Sequence, residues 1–198
     1  MHFKILISVL SLFMAGTLTA QKLSRTEKKI VKTITQNNAD AIAFLEQVVN
    51  INSGTLNANG VKEVGMVFKD AFESINFDSR WIEMPPEMGR AGHLFAETSG
   101  NKGKKLLLIG HLDTVFEEDS PFQKFKMVND SIAHAPGGND MKGGDVIVLY
   151  ALKALHENGL LGDAQITVAF TGDEESTGKP LSISRKDLVE AAKRSDIA

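Results

Sequence analysis

Five side chains of this 198-residue sequence have the types and spacing for metal chemistry. His111 and Asp113 form a His-x-Asp pair, Asp140 lies in a glycine-rich stretch, and Glu174 and Glu175 are adjacent. The chain has no cysteine, so a metal site must be built from imidazole and carboxylate groups, a donor set that suits zinc, manganese or cobalt. In an extended segment residues i and i+2 share a side, which lets Asp113 reach the His111 imidazole. A metal-bound histidine commonly donates its second ring N–H to such a partner. The glycines around Asp140, in Pro136-Gly137-Gly138-Asn139-Asp140-Met141-Lys142-Gly143-Gly144, allow close backbone approach or positive φ. A carboxylate there can bridge two cations. Glu174 and Glu175 at an extended strand end point in opposite directions, so one can bind metal while the other faces a substrate water as general base. Each cluster also has an ordinary reading. The His-x-Asp pair can be a solvated turn, Asp140 a helix N-cap, and Asp173-Glu174-Glu175 a solvated acidic loop. The case rests on their combination.

The elements that must position these residues follow from hydrophobic period. Residues 24–50 read as helical, with a break near Asn37-Asn38, where Asn38 can cap a second helix. Residues 61–74 read as another helix, and 77–84 and 93–98 as strands separated by a Pro85-Pro86 loop. Leu106-Leu107-Leu108-Ile109 is a continuous apolar run, as in a strand buried on both faces. It runs directly into His111. Residues 122–128 and 131–133 flank Asn129-Asp130 as a hairpin. Residues 143–158 form a helix that is apolar nearly all round, and 165–171 a second buried strand that ends at the Glu pair. Residues 186–194 form the last helix. Strand, helix, strand in this order predicts an α/β fold with a crossover unit in a largely parallel sheet. In such sheets ligands bind at the carboxyl ends of strands, where all three clusters fall. His93, His134 and His156 have ordinary readings, with His134 the nearest to the site in sequence. Lys142 either steadies the Asp140 loop or is solvated, and Trp81 reads as packing.

Composition is that of a globular protein, 42% hydrophobic and 24% charged, with a formal charge of -3. Neither nucleic acid nor an anionic membrane is an indicated partner. Lys4, the apolar run at 5–15 and the small residues before Gln21 read as a signal peptide over residues 1–20, with no stable membrane span after cleavage. The expected location is periplasmic or secreted, and residues 21–198 form the folded part.

Taken together, three stretches carry a resemblance: Gly110-His111-Leu112-Asp113-Thr114-Val115, the Pro136-to-Gly144 stretch, and Asp173-Glu174-Glu175. They resemble the zinc exopeptidase family of glutamate carboxypeptidases, aminoacylases, acetylornithine deacetylases and succinyl-diaminopimelate desuccinylases. The resemblance implies a three-layer catalytic domain holding two Zn2+ ions, with Co2+ or Mn2+ as substitutes. It implies His111 on one zinc, Asp140 bridging, Glu175 on the other zinc, Glu174 as general base and Asp113 orienting His111. The implied substrates are peptides or N-acyl amino acids, and the carboxypeptidase subgroup fits best. A small-molecule N-deacylase or dipeptidase is the alternative within the family.

The sequence departs from the family pattern in having Ser176 and Thr177 before Gly178, and Ala135 before Pro136. The family supplies two further ligands beyond this point, a carboxylate and a distant histidine. It also has a lid and dimerisation domain for which the chain leaves no length. The expectation is therefore a truncated catalytic domain, inactive alone, with homodimers only in a full-length protein. The competing expectation is a non-catalytic fragment. Asp196, where the pattern starts a further strand, is a weaker candidate for the missing carboxylate.

Overall fold

The computed structural model describes residues 22–198, so the segment read as a signal peptide lies outside the described residues. We number the elements in chain order. Helices α1 (Arg25–Val49) and α2 (Ala58–Glu73) lead into strands β1 (Asp78–Glu83), β2 (Gly92–Glu97) and β3 (Lys102–His111). A hairpin of β4 (Lys126–Asn129) and β5 (Ile132–His134) precedes helix α3 (Gly143–Glu157). Strand β6 (Ala164–Thr171) and the short helices α4 (Leu181–Ser184) and α5 (Lys186–Lys193) complete the chain.

The main sheet has the order β1-β2-β6-β3. Strands β3 and β6 are parallel and joined by α3, which is the crossover unit read from the sequence. Strands β1 and β2 add to β6 in antiparallel fashion. The sheet is thus mixed, with the parallel pairing confined to its β6–β3 half. Strands β1 and β2 follow one another through a short loop, and a short connection joins antiparallel neighbours. Among residues 195–198, Ile197 bridges Leu106 in parallel register, extending the parallel side as the sequence pattern implied.

Apolar positions sort onto the two faces of the sheet. Val64, Phe68 and Phe72 of α2 and Leu149 and Leu152 of α3 meet Leu94, Val168 and Phe170 on one face, with Val48 of α1 in the same core. Phe170 sits edge-on to both Phe68 and Phe72, at 5.4 and 5.8 Å between centroids. Each such fully buried side chain is worth about 1.5–3 kcal/mol of transfer free energy. On the other face Phe95, Leu107 and Ala169 pack against Ala191 of α5 and Leu188 beside it. Helices on both faces of the sheet give the three layers.

The break read at Asn37-Asn38 is absent, and α1 is one helix of 25 residues, started by a Ser24–Glu27 capping box. The polar residues there are contacts rather than caps. Asn37 Nδ2 donates to Glu157 Oε2 at 3.0 Å, and Asn158 Nδ2 reaches Thr33 Oγ1 at 3.0 Å. Both fasten α1 to the end of α3. That helix is also less enclosed than its composition implied, because Ile147 is 71% exposed. No helix among the described residues is long and apolar enough to cross a membrane.

Candidate metal centre

Strands β3 and β6 are neighbours, and Gly110 pairs with Phe170 and His111 with Thr171. Both strands therefore deliver their following loops to the same end of the sheet, which brings His111 beside the Glu pair. Ligand atoms of His111, Glu174 and Glu175 all lie within 4.8 Å of one another. His111 Nε2 is also 3.0 Å from Asp140 Oδ1. Three of the five residues singled out in the sequence thus converge, Asp140 adjoins His111, and Asp113 bonds the His111 ring and the backbone of both glutamates.

The two glutamates converge rather than diverge. Strand β6 stops at Thr171, and residues 174–176 bend into a turn, so the alternation of an extended strand lapses before it reaches them. Asp113 likewise departs from the simple i, i+2 picture. Strand β3 ends at His111, and the imidazole Nδ1 meets the Asp113 backbone carbonyl at 3.0 Å, with the carboxylate Oδ1 at 3.4 Å. A carbonyl can only accept, so Nδ1 carries the proton and Nε2 is the nitrogen turned toward Asp140. The Asp113 carboxylate is fully buried and accepts from the backbone N–H groups of Glu174 and Glu175, each at 3.0 Å. Thr55 Oγ1 donates to it at 2.7 Å. Burial raises the Asp113 carboxyl, but these bonds from His111, Thr55, Glu174 and Glu175 outweigh it and hold it below the ordinary value.

Charge in the site favours a cation. Burial pulls the His111 imidazole down, yet hydrogen bonds to Asp113 and Asp140 raise it to about 9. Glu175 is raised, first by burial and then by the negative charge of Asp140. A place that stabilises an imidazolium among carboxylates also stabilises a metal ion offering positive charge to the same groups. One imidazole with three carboxylates and no thiolate is a donor set that fits zinc and its usual substitutes.

The Asp140 loop is held by two devices. Gly137 takes φ 66°, a left-handed conformation natural for glycine, and an added Cβ there would meet Thr114. Asp140 itself is extended (φ -136°, ψ 97°) inside the turn that leads into α3. Lys142 answers the question left open by the sequence, because it is buried rather than solvated. Its Nζ donates to the carbonyls of Val48 at 2.8 Å and Ile51 at 3.0 Å, where the end of α1 leaves carbonyls without helical partners. Burial lowers its pKa to about 8. The loop on the other side is gripped by two arginines. Arg185 pairs with the buried Asp173 at 2.5 Å and reaches Thr177 Oγ1 at 3.0 Å. Arg90 Nε and its NH2 group bond Ser176 O and Oγ at 2.7 and 3.0 Å. The inserted Ser176-Thr177 is thereby accommodated without displacing the glutamates from His111.

The remaining candidates lie elsewhere. His93 is buried, accepts from Gly172 N–H at 3.1 Å on Nδ1 and donates from Nε2 to Ser184 O at 2.8 Å, so it is a structural tie. His134 packs on Phe122 in the hairpin, with its residue exposed. Asp196 is not a ligand of this centre. Its Oδ2 accepts from Lys105 N at 2.9 Å, at the start of β3, whereas His111 ends that strand.

Asp145 was missed by sequence reasoning, because an acid in the first turn of a helix reads as solvated. It is fully buried, and neither carboxylate oxygen has a hydrogen-bond partner. It is wedged so closely against Gly110 that a Cβ on that glycine would collide with Asp145 Oδ1 and Phe170. Burial pushes its carboxyl well above the usual range, opposed by the charges of His111 and Lys142. A carboxyl raised by folding binds its proton more tightly in the folded state, so it removes stability as pH rises from the unfolded value of about 4. Asp145→Asn is therefore expected to match the parent below about pH 4 and to exceed it at pH 8. The gain should be on the roughly 1–3 kcal/mol scale of a buried polar group without a partner. Urea unfolding at the two pH values checks this, and an offset independent of pH would contradict it.

The fold and this cluster define an α/β domain with a histidine–carboxylate cluster that could hold a metal ion at the carboxyl ends of two parallel strands. The profile of the family described as Peptidase family M20/M25/M40 matches residues 107–197, and the chain carries a domain of that family. Carboxypeptidase G2 from Pseudomonas sp. (strain RS-16) is 32% identical over 191 residues, covering 93% of this chain and 43% of that relative. Among solved structures, human carnosine dipeptidase 1 is similar with a TM-score of 0.72 at 18% identity, covering 86% of this chain and 40% of that one. The di-peptidase Dug1p from Saccharomyces cerevisiae gives a TM-score of 0.68 at 16% identity, covering 85% and 38%. These two likenesses concern the fold. The chain spans less than half the length of each of these relatives.

Proposed function

We propose that this domain forms one wall of the active site of an exported, zinc-dependent, carboxypeptidase-like hydrolase. In this reading the enzyme cleaves peptide or N-acyl amino-acid amide bonds. The observation that carries the reading is the convergence of His111, Glu174 and Glu175 within 4.8 Å, with Asp140 3.0 Å from His111 Nε2. The 32% identity to a protein named carboxypeptidase supports the choice of subgroup. Export rests on the signal-like residues 1–20 alone.

In this reading His111, Asp140 and Glu175 would hold zinc, Asp140 serving as the carboxylate that two ions would share. Zinc bound there would lower the pKa of a water and polarise the scissile carbonyl. Glu174 accepts the proton of the attacking water and returns it to the leaving amine nitrogen. Asp113 keeps the His111 ring turned so that Nε2 faces the carboxylates, and it holds the backbone from which both glutamates start. The test is hydrolysis of an N-acylated glutamate and of a dipeptide by the zinc-loaded full-length enzyme that contains this domain, before and after chelation. Activity that is lost to chelator and restored by zinc supports the reading. Activity indifferent to chelator would refute it.

A further inference from the structure

We propose that Thr55 is a positioning residue of the metal centre, acting through Asp113 on the backbone of Glu174 and Glu175. Thr55 lies in the loop between α1 and α2, far in sequence from every residue of the site, and is only 1% exposed. Its hydroxyl donates to Asp113 Oδ2 at 2.7 Å. The same oxygen accepts Glu175 N–H, and Oδ1 accepts Glu174 N–H. One buried carboxylate thus joins three chain segments, and Thr55 supplies the side-chain hydroxyl among its donors. A hydroxyl bonded to an ionised carboxylate is among the stronger hydrogen bonds, and it fixes the rotation of the carboxylate that the two amides must meet.

Thr55 is itself held from below. Thr55 N donates to Thr114 O at 3.1 Å, Thr114 N to Ser53 O at 2.8 Å, and Ser53 Oγ to Leu112 O at 2.8 Å. Gly54 and Thr114 form a short parallel bridge. The loop after α1 therefore runs as a strap alongside the chain just past His111. This strap sets the height of the Thr55 hydroxyl, and through Asp113 it sets where the turn carrying both glutamates begins. The inference rests on the metal reading above for its functional meaning, but the geometry can be tested without metal.

Two substitutions separate positioning from packing. Thr55→Val keeps the shape and loses the hydroxyl, while Thr55→Ser keeps the hydroxyl and loses the methyl group. Hydrogen exchange of the Glu174 and Glu175 amides is read on the full chain without added metal. Zinc affinity is read by competition with a chromophoric chelator. The expected result is exchange at both amides about tenfold faster in Thr55→Val, with parent-like exchange in Thr55→Ser. Zinc affinity should fall by roughly 10- to 100-fold in Thr55→Val only, the scale for loss of an outer partner of a metal ligand. Equal exchange in the two variants, or a larger change in Thr55→Ser, would overturn the proposal. The exchange result stands even if the parent binds no zinc, an outcome that would refute the metal reading instead. Should Thr55→Val fail to fold, Thr55→Ala read against Thr55→Ser gives the same comparison. Parent-like amides in the alanine variant would likewise overturn the proposal.

Discussion

In the full-length enzyme, Glu174→Ala is expected to lower kcat by about 100- to 10,000-fold while zinc content stays at the parent level, because general-base assistance is worth that much. The structure gives Glu174 the right place for this. Its backbone N–H is fixed at 3.0 Å by Asp113, and its residue is exposed where Glu175 is half-buried. The more open carboxylate is the one a substrate water can reach, and the more enclosed one suits a ligand. Metal content by atomic emission and steady-state kinetics check the two halves separately. Parent-like kcat would remove Glu174 from the base role. Loss of zinc together with activity would make it a ligand and shift the base role to Glu175.

His111→Ala is expected to do the opposite and abolish tight metal binding. The site holds a single imidazole, presented by the buried end of β3, with its Nδ1 already committed to the Asp113 carbonyl. Removing it deletes a ligand. The loss of affinity should therefore exceed the roughly 10- to 100-fold typical of an outer partner. Folding should survive, since His111 sits at the rim of the core and contributes little apolar area. Zinc titration followed by circular dichroism tests both statements. Parent-like zinc affinity in this variant would exclude His111 as a ligand.

Much of this arrangement could be read from the sequence where a signal was local. The strands β3 and β6 announced themselves as short continuous apolar runs, each ending in chemistry-bearing residues, and the crossover helix lay between them. The mixed sheet was less legible, because nothing in the pattern of residues 78–97 says which way a strand will join its neighbours. Asn37-Asn38 read as a helix break because polar amides are good caps. Its actual task, a bond from Asn37 to Glu157, depends on a partner far along the chain. Lys142 stayed open between two readings, and Asp145 went unnoticed, for the same reason. A charged residue at a helix start reads as solvated, and only the packing of α1 and Gly110 over them puts both inside. Thr55 gave no sequence signal, since a threonine after a Ser-Gly turn is unremarkable until the fold sets Asp113 against it.

Asp113 shows how far the local reading carried. It was chosen as the partner of His111, and it is one, although chiefly through its carbonyl. Its carboxylate serves the opposite loop. The site is thus assembled from the ends of two adjacent strands, cross-linked by one buried acid, with Asp140 brought in by a turn that Lys142 anchors to the end of α1.

The central claim is that His111, Asp140 and Glu175 are metal ligands. It is tested most directly by anomalous diffraction at the zinc absorption edge from crystals of the zinc-loaded protein. The account predicts two anomalous peaks, one about 2.0–2.2 Å from His111 Nε2 and a carboxylate oxygen of Asp140, the other at the same distance from the second Asp140 oxygen and from a carboxylate oxygen of Glu175. Zinc bound elsewhere, with no peak between these three side chains, would contradict it.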